Sequence, residues 1–147
     1  MNAMSPSSNA LKEIFFELEN RGLMKNTLII ITADHGEQFN DHGKFYHGKN
    51  LYQETNRVPL IVAGEMIKEP GRKIECPVSL IDIMPTVLES AGVPRPYNIR
   101  GRSLWPIINE KKCYQRTLMA ELYNPVEPDG IQKSVIKDNM KLLKIDK

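Results

Sequence analysis

One stretch limits the fold of this chain more than any other. It is TLIIIT at residues 27–32, a β-branched and apolar run that stops abruptly on Ala-Asp-His-Gly-Glu. Short continuous runs of this type suit a central parallel strand buried on both faces. The segment before it, residues 10–21, places Leu11, Ile14, Phe15 and Leu18 at helical spacing, with Glu13, Glu17 and Glu19 on the other face. Asn9 can cap that helix and Gly22 can end it in a left-handed turn. A helix, a short turn and a buried strand make an α/β arrangement.

The rest of the chain extends this pattern. RVPLIVA at residues 57–63 predicts a second strand, with its proline near the start, where a missing N–H is tolerated. CPVSLIDIMPTVLESAGV predicts a helix capped by Asp82, with Pro85 in the first turn and Gly92 as its stop. Residues 118–122 predict a strand, and QKSVIKDNMKLLKI predicts a hairpin about Asp138-Asn139. Residues 1–9, rich in Ser, Asn and Pro, are expected to be disordered or foreign to the domain, leaving residues 10–147 as the folded part.

Composition excludes several classes. With 147 residues and 41% hydrophobic content, the chain can bury a core. A net charge of +2 is too small to argue for nucleic acid or a membrane surface, and no nucleic-acid partner is expected. No apolar run nears the roughly 18–20 residues of a membrane span, and the first residues lack the pattern of a secretory signal. Two cysteines, Cys76 and Cys113, have no metal-type spacing, and sequence alone does not say whether they pair.

All three histidines, His35, His42 and His47, lie in the loop after TLIIIT. In open α/β sheets, ligands sit beyond the carboxyl ends of strands, where Asp34 and His35 should emerge. A carboxylate oxygen beside an imidazole nitrogen suits a divalent cation of intermediate hardness. Gly36 permits close backbone approach, and Glu37 could orient His35. A plain turn, with Asp34 bonded to its own backbone, would use the same residues.

The stretch TLIIITADHGEQFNDHGKFYHGKNLYQETNRVPLIVAG resembles the sulfatase family of the alkaline phosphatase superfamily. CPVSLIDIMPTVLESAGVP, IRGRSLWPII and QKSVIKDNMKLLKI are similar to later segments of that family, in its order. The resemblance implies a partial alkaline phosphatase-like α/β/α sandwich: the C-terminal portion of the sheet, its flanking helices and a terminal hairpin. It implies cleavage of a sulfate or phosphate ester at a divalent ion (manganese, zinc or calcium). Asp34 and His35 then look like metal ligands, and nitrogen ligation disfavours calcium. The position that usually carries a lysine toward the ester oxygens falls on His47, with Lys49 as the nearest lysine. His42 is expected to shape the loop, and Arg57 to make a structural ion pair. Asp82, Pro85, Thr86, the Gly101-Arg102-Ser103 loop and Trp105 are expected to cap and pack.

The family's nucleophile motif, Cys/Ser-x-Pro-x-Arg, has no match here, and Cys76-Pro77-Val78-Ser79-Leu80 lacks its arginine. The family's early Asp-Asp ligands are missing too. The expectation is a fragment of a sulfatase-like hydrolase that holds part of the metal site and is inactive alone. Unpaired strand edges would favour its self-association. A non-catalytic module that keeps the fold, or part of a phosphoester hydrolase or phosphotransferase relative, are the alternatives.

Overall fold

The computed structural model describes residues 6–123, 130–138 and 140–146. The first helix, α1 (Pro6–Asn20), begins four residues before its expected start. Asn9 therefore lies inside the helix, and only residues 1–5 of the expected tail fall outside the described part. Proline suits a first helical turn because its missing N–H would be unpaired there anyway. Gly22, at φ +65°, ends α1, and Leu23 N–H reaches back to the Leu18 carbonyl at 2.9 Å.

β1 (Ile29–Thr32) does not lie in a parallel sheet. It pairs antiparallel with β4 (Leu60–Ala63), Ile29 opposite Ala63 and Thr32 opposite Leu60. Its isoleucines are only half-buried, because this sheet has two strands. A run with the apolarity of a central strand is left half-covered on both faces.

Between those strands lie the short pair β2 (Gln38–Phe39) and β3 (Phe45–Tyr46), then one turn of helix, α2 (Gln53–Asn56). Beyond β4, Ser79 and Asp82 form a capping box that opens a 3-10 turn leading into α3 (Ile83–Ser90). α4 (Trp105–Glu110) follows, then β5 (Leu118–Tyr123), β6 (Ile131–Lys137) and β7 (Met140–Asp146) in one antiparallel sheet. Lys137 pairs with Met140, so the expected hairpin turns directly after Lys137, with Asp138 at φ +49°. Positive φ at that position suits a tight two-residue turn.

The best-buried apolar cluster is on α4 rather than β1. Leu104, Trp105, Ile107 and Ile108 pack against Leu28, Leu60, Val62, Ile74 and Val78. Trp105 Nε1 donates to the Thr86 carbonyl at 3.1 Å and to Ser90 Oγ at 3.0 Å, tying α4 to α3. Asp82 is fully buried; its carboxylate accepts Ser79 N–H, Arg102 N–H and the Arg116 guanidinium at 2.7–2.8 Å. Asp82, Thr86 and Trp105 thus hold the fold together, as expected. The apolar face expected on α1 is only partly covered among the described residues: Leu11 and Ile14 are exposed, while Phe15 and Leu18 are half-buried.

Candidate functional site

Asp34 and His35 leave the end of β1 as expected. Thr32 Oγ1 donates to the Pro59 carbonyl at 2.7 Å, which pins the strand end to the start of β4. Gly36 then lies flat on α2. Its N–H donates to the Thr55 carbonyl at 2.8 Å, and a Cβ at this position would sit 1.9 Å from the Glu54 carbonyl oxygen. Glycine is required here by close approach, since no side chain fits that gap.

This backbone path aims two donor atoms at one point. Asp34 Oδ1 accepts the His35 N–H at 2.9 Å, leaving Oδ2 uncommitted on a side chain that is 88% exposed. His35 Nδ1 lies 3.0 Å from the Gly36 carbonyl. A carbonyl only accepts, so in the neutral ring, the form that binds a metal, this nitrogen carries the proton and Nε2 has the lone pair. Nε2 and Asp34 Oδ2 are 3.7 Å apart. Ligand atoms about 2.0–2.2 Å from a zinc-like ion could span that gap. The donor set therefore fits two positions of a cation's shell. Among the described residues, no group of three or more His, Cys, Asp or Glu side chains is placed to share an ion.

His47 joins this pair. Its ring stacks on His35, centroids 3.9 Å apart and planes 23° from parallel. Its Nδ1 lies 3.1 Å from Glu37 Oε2. Glu37 was expected to orient His35; the fold gives it to His47 instead, because the Gly36 carbonyl already occupies His35 Nδ1. The exposed Lys49 offers its backbone carbonyl to Gln132 Nε2 at 3.0 Å. His42 stands apart in the left-handed region at φ +52°, stacked on Tyr52 and 3.4 Å from Glu54. Its loop-shaping role agrees with the expectation. Arg57, expected in an ion pair, lies exposed on the cleft wall and acts on Glu75 only as a minor electrostatic neighbour.

Two contributors came from the distant hairpin and were not foreseen. Gln132, 1% exposed, accepts the Leu51 N–H at 3.0 Å and donates to the Lys49 carbonyl, clamping the loop that carries His47. Lys141 reaches the Leu51 carbonyl and lines the same cleft as Asp34 and His35. Burial pushes its pKa down, while the nearby Glu54 opposes the shift. A signal for Gln132 exists in the sequence: Gln132 and Ser134 are polar at the buried alternate positions of β6. Cys76 is bonded to Cys113, so the cysteine nearest in sequence to a nucleophile motif is held in a disulfide.

A profile of the sulfatase family matches residues 1–93. The chain belongs to the sulfatase family. It is 41% identical over 99 residues to arylsulfatase K of Xenopus laevis, covering 67% of this chain and 18% of that protein. With arylsulfatase K of Homo sapiens it shares 39% identity over 109 residues, covering 74% and 20% of the two chains. This sulfatase chain thus spans about a fifth of the length of those relatives.

Solved structures agree. The structure of BT4656 in complex with its substrate D-glucosamine-2-N,6-O-disulfate matches 91% of this chain and 28% of its own, at TM-score 0.83 and 25% identity. The phosphonate monoester hydrolase SpPMH from Silicibacter pomeroyi matches 92% of this chain and 29% of its own, at TM-score 0.80 and 26% identity. The fold is accordingly a partial alkaline phosphatase-like α/β domain. Among the described residues no helix is long and apolar enough to cross a membrane.

Proposed function

We propose that this chain is part of a metal-dependent sulfuric ester hydrolase, supplying two metal ligands and an oxyanion contact but not the nucleophile. The observation that carries this reading is the convergence of Asp34 Oδ2 and His35 Nε2 at 3.7 Å, each with its opposite atom already tied down. A bound manganese or zinc ion would act as a Lewis acid toward the ester. Asp34 and His35 would hold that ion, and Gly36 keeps them at the strand end by packing on α2. His47, stacked on His35, would meet an anionic ester oxygen, with Lys49 as a second contact. Excluded from the reaction is Cys76, which is disulfide-bonded.

The test is metal-dependent stabilisation of the full chain. Zinc or manganese at about ten times its dissociation constant should add about 1.4 kcal/mol. Asp34→Ala combined with His35→Ala should abolish that gain. An equal gain in the double variant refutes the ligand assignment. The similarity to a phosphonate monoester hydrolase supports a second reading, a phosphorus ester as substrate. Nitrophenyl sulfate and nitrophenyl phosphate, offered to a longer protein carrying a nucleophile motif, separate the two. Failure to cleave either would favour a non-catalytic module.

A further inference from the structure

The β5–β6–β7 sheet has one face turned to the rest of the fold and one turned to solvent. Gln132 and Ser134 are buried on the first, while Met119, Tyr123 and Leu142 on the second are 68%, 73% and 71% exposed. Residues directly opposite each other on neighbouring strands share a face, so the ladder sets the outer face in rows. One row runs Met119, Val135, Leu142 across the three strands. The next runs Glu121, Lys133, Lys144, and the third Tyr123, Ile131, Asp146. Exposed apolar side chains set together with a polar border mark an interaction surface.

The charges say what fits it. These rows carry two acids, Glu121 and Asp146, and two bases, Lys133 and Lys144, so they do not select a strongly charged partner. Their order is what matters, because it is self-complementary. A second copy turned about a two-fold axis along the strands lays its β7 on β5, its β6 on β6 and row on row. Stacked sheets pack aligned in this way, about 10 Å apart and with strands within about 30°.

Met119 then meets the Leu142 of the other copy, Glu121 meets its Lys144, and Tyr123 meets its Asp146. Symmetry makes each contact twice. A tyrosine hydroxyl can donate to a carboxylate. Val135 and Ile131 meet their own images, apolar on apolar. Lys133 also meets its own image, the one like-charge contact, and Glu121 of its own chain, 3.6 Å away, offsets it. A two-fold axis across the strands and through the charged row would instead set Glu121 on Glu121 and Lys144 on Lys144. The register therefore selects the first arrangement.

We propose that the outer face of β5–β6–β7 pairs with the same face of a second copy, giving a two-fold, sheet-on-sheet dimer. This is a different sheet from the one that holds β1, whose unpaired edge was the expected route to self-association. Three strands, two of them seven residues long, give a footprint of roughly 14 by 23 Å. That is the scale of weak, reversible interfaces.

Sedimentation equilibrium of the full chain from about 10 µM to about 1 mM should show a reversible monomer–dimer equilibrium. Glu121→Lys or Lys144→Glu should weaken it about five- to fiftyfold, since two exposed ion pairs turn from attraction to repulsion. The two substitutions combined should restore it to within about threefold, since the pair is re-formed with its signs exchanged. Both positions are exposed, so the fold itself should change little. Methyl spectra locate the contact: the Met119 signal should move with concentration and that of Met84, exposed on α3, should not. A chain that stays monomeric through the range, or associates equally well in both single variants, overturns the proposal. So does a combined variant no tighter than the single ones, or a Met119 signal that ignores concentration.

Discussion

Replacing Gln132 by leucine should loosen the site loop from a distance of more than 80 residues in sequence. Gln132 is 1% exposed, and both ends of its amide are used: Oε1 accepts Leu51 N–H and Nε2 donates to the Lys49 carbonyl, each at 3.0 Å. Leucine keeps similar volume and removes both partners. Each hydrogen bond contributes about 0.5–1.5 kcal/mol net, and a buried group left unpaired costs about 1–3 kcal/mol. The two losses describe the same event from two sides, so the expected total is about 2–4 kcal/mol. For a chain of this size that lowers Tm by roughly 4–16 °C. Hydrogen exchange locates the effect. If the loop opens locally, the Leu51 amide should exchange about 30- to 1,000-fold faster, while the amides of the β6–β7 ladder change far less. A folded Gln132→Leu protein whose Leu51 amide exchanges at the wild-type rate would refute the clamp.

Other predictions follow from single contacts. Gly36→Ala places a Cβ 1.9 Å from the Glu54 carbonyl oxygen; it should destabilise by about 1–3 kcal/mol through forced backbone shifts and abolish the metal-dependent gain, both readable by thermal melting. Asp82→Ala strips the fully buried carboxylate from Arg116 and should cost about 3–5 kcal/mol in urea unfolding. Reducing the Cys76–Cys113 bond, which closes a loop with a sequence separation of 37, should cost about 4 kcal/mol by the chain-entropy relation, seen as a lower urea midpoint under reductant. Lys141 is the pH reporter. Burial lowers its folded-state pKa, so the unfolded chain holds this proton to higher pH, and stability should rise as pH climbs from the folded value toward that of an ordinary lysine. Lys141→Met should remove that rise from the alkaline stability profile, and an identical slope in both proteins would refute it.

Much of the local structure is written in short-range chemistry. The stops at Gly22 and Gly92, the part of Asp82 in its capping box and the turn at Asp138 each depend on a few neighbouring residues. Such signals survive any tertiary context because they satisfy backbone groups nearby. The Asp34-His35 pair was legible for the same reason: it sits where an apolar run ends in ligand-type side chains. The errors lie where burial had to be guessed. TLIIIT has the composition of a central strand, yet β1 has one partner and half-buried side chains. Composition records what a strand can bury, and only its neighbours decide what it does bury. The apolar stripe of α1 is likewise covered only in part, with Leu11 and Ile14 left exposed.

The sequence alone pointed to the family, through its resemblance, and to α1, β1, β4, α3 and the closing hairpin in that order, with Asp34 and His35 at the end of β1. It did not show β2, β3 or α2, which are too short to leave a periodic signal. Tertiary structure alone decided how the candidate site is held. It gave Glu37 to His47 rather than His35, stacked the two rings, paired Cys76 with Cys113, and brought Gln132 and Lys141 from the hairpin to the loop. Those contacts depend on strand register and on packing between segments far apart in sequence, which no local pattern encodes.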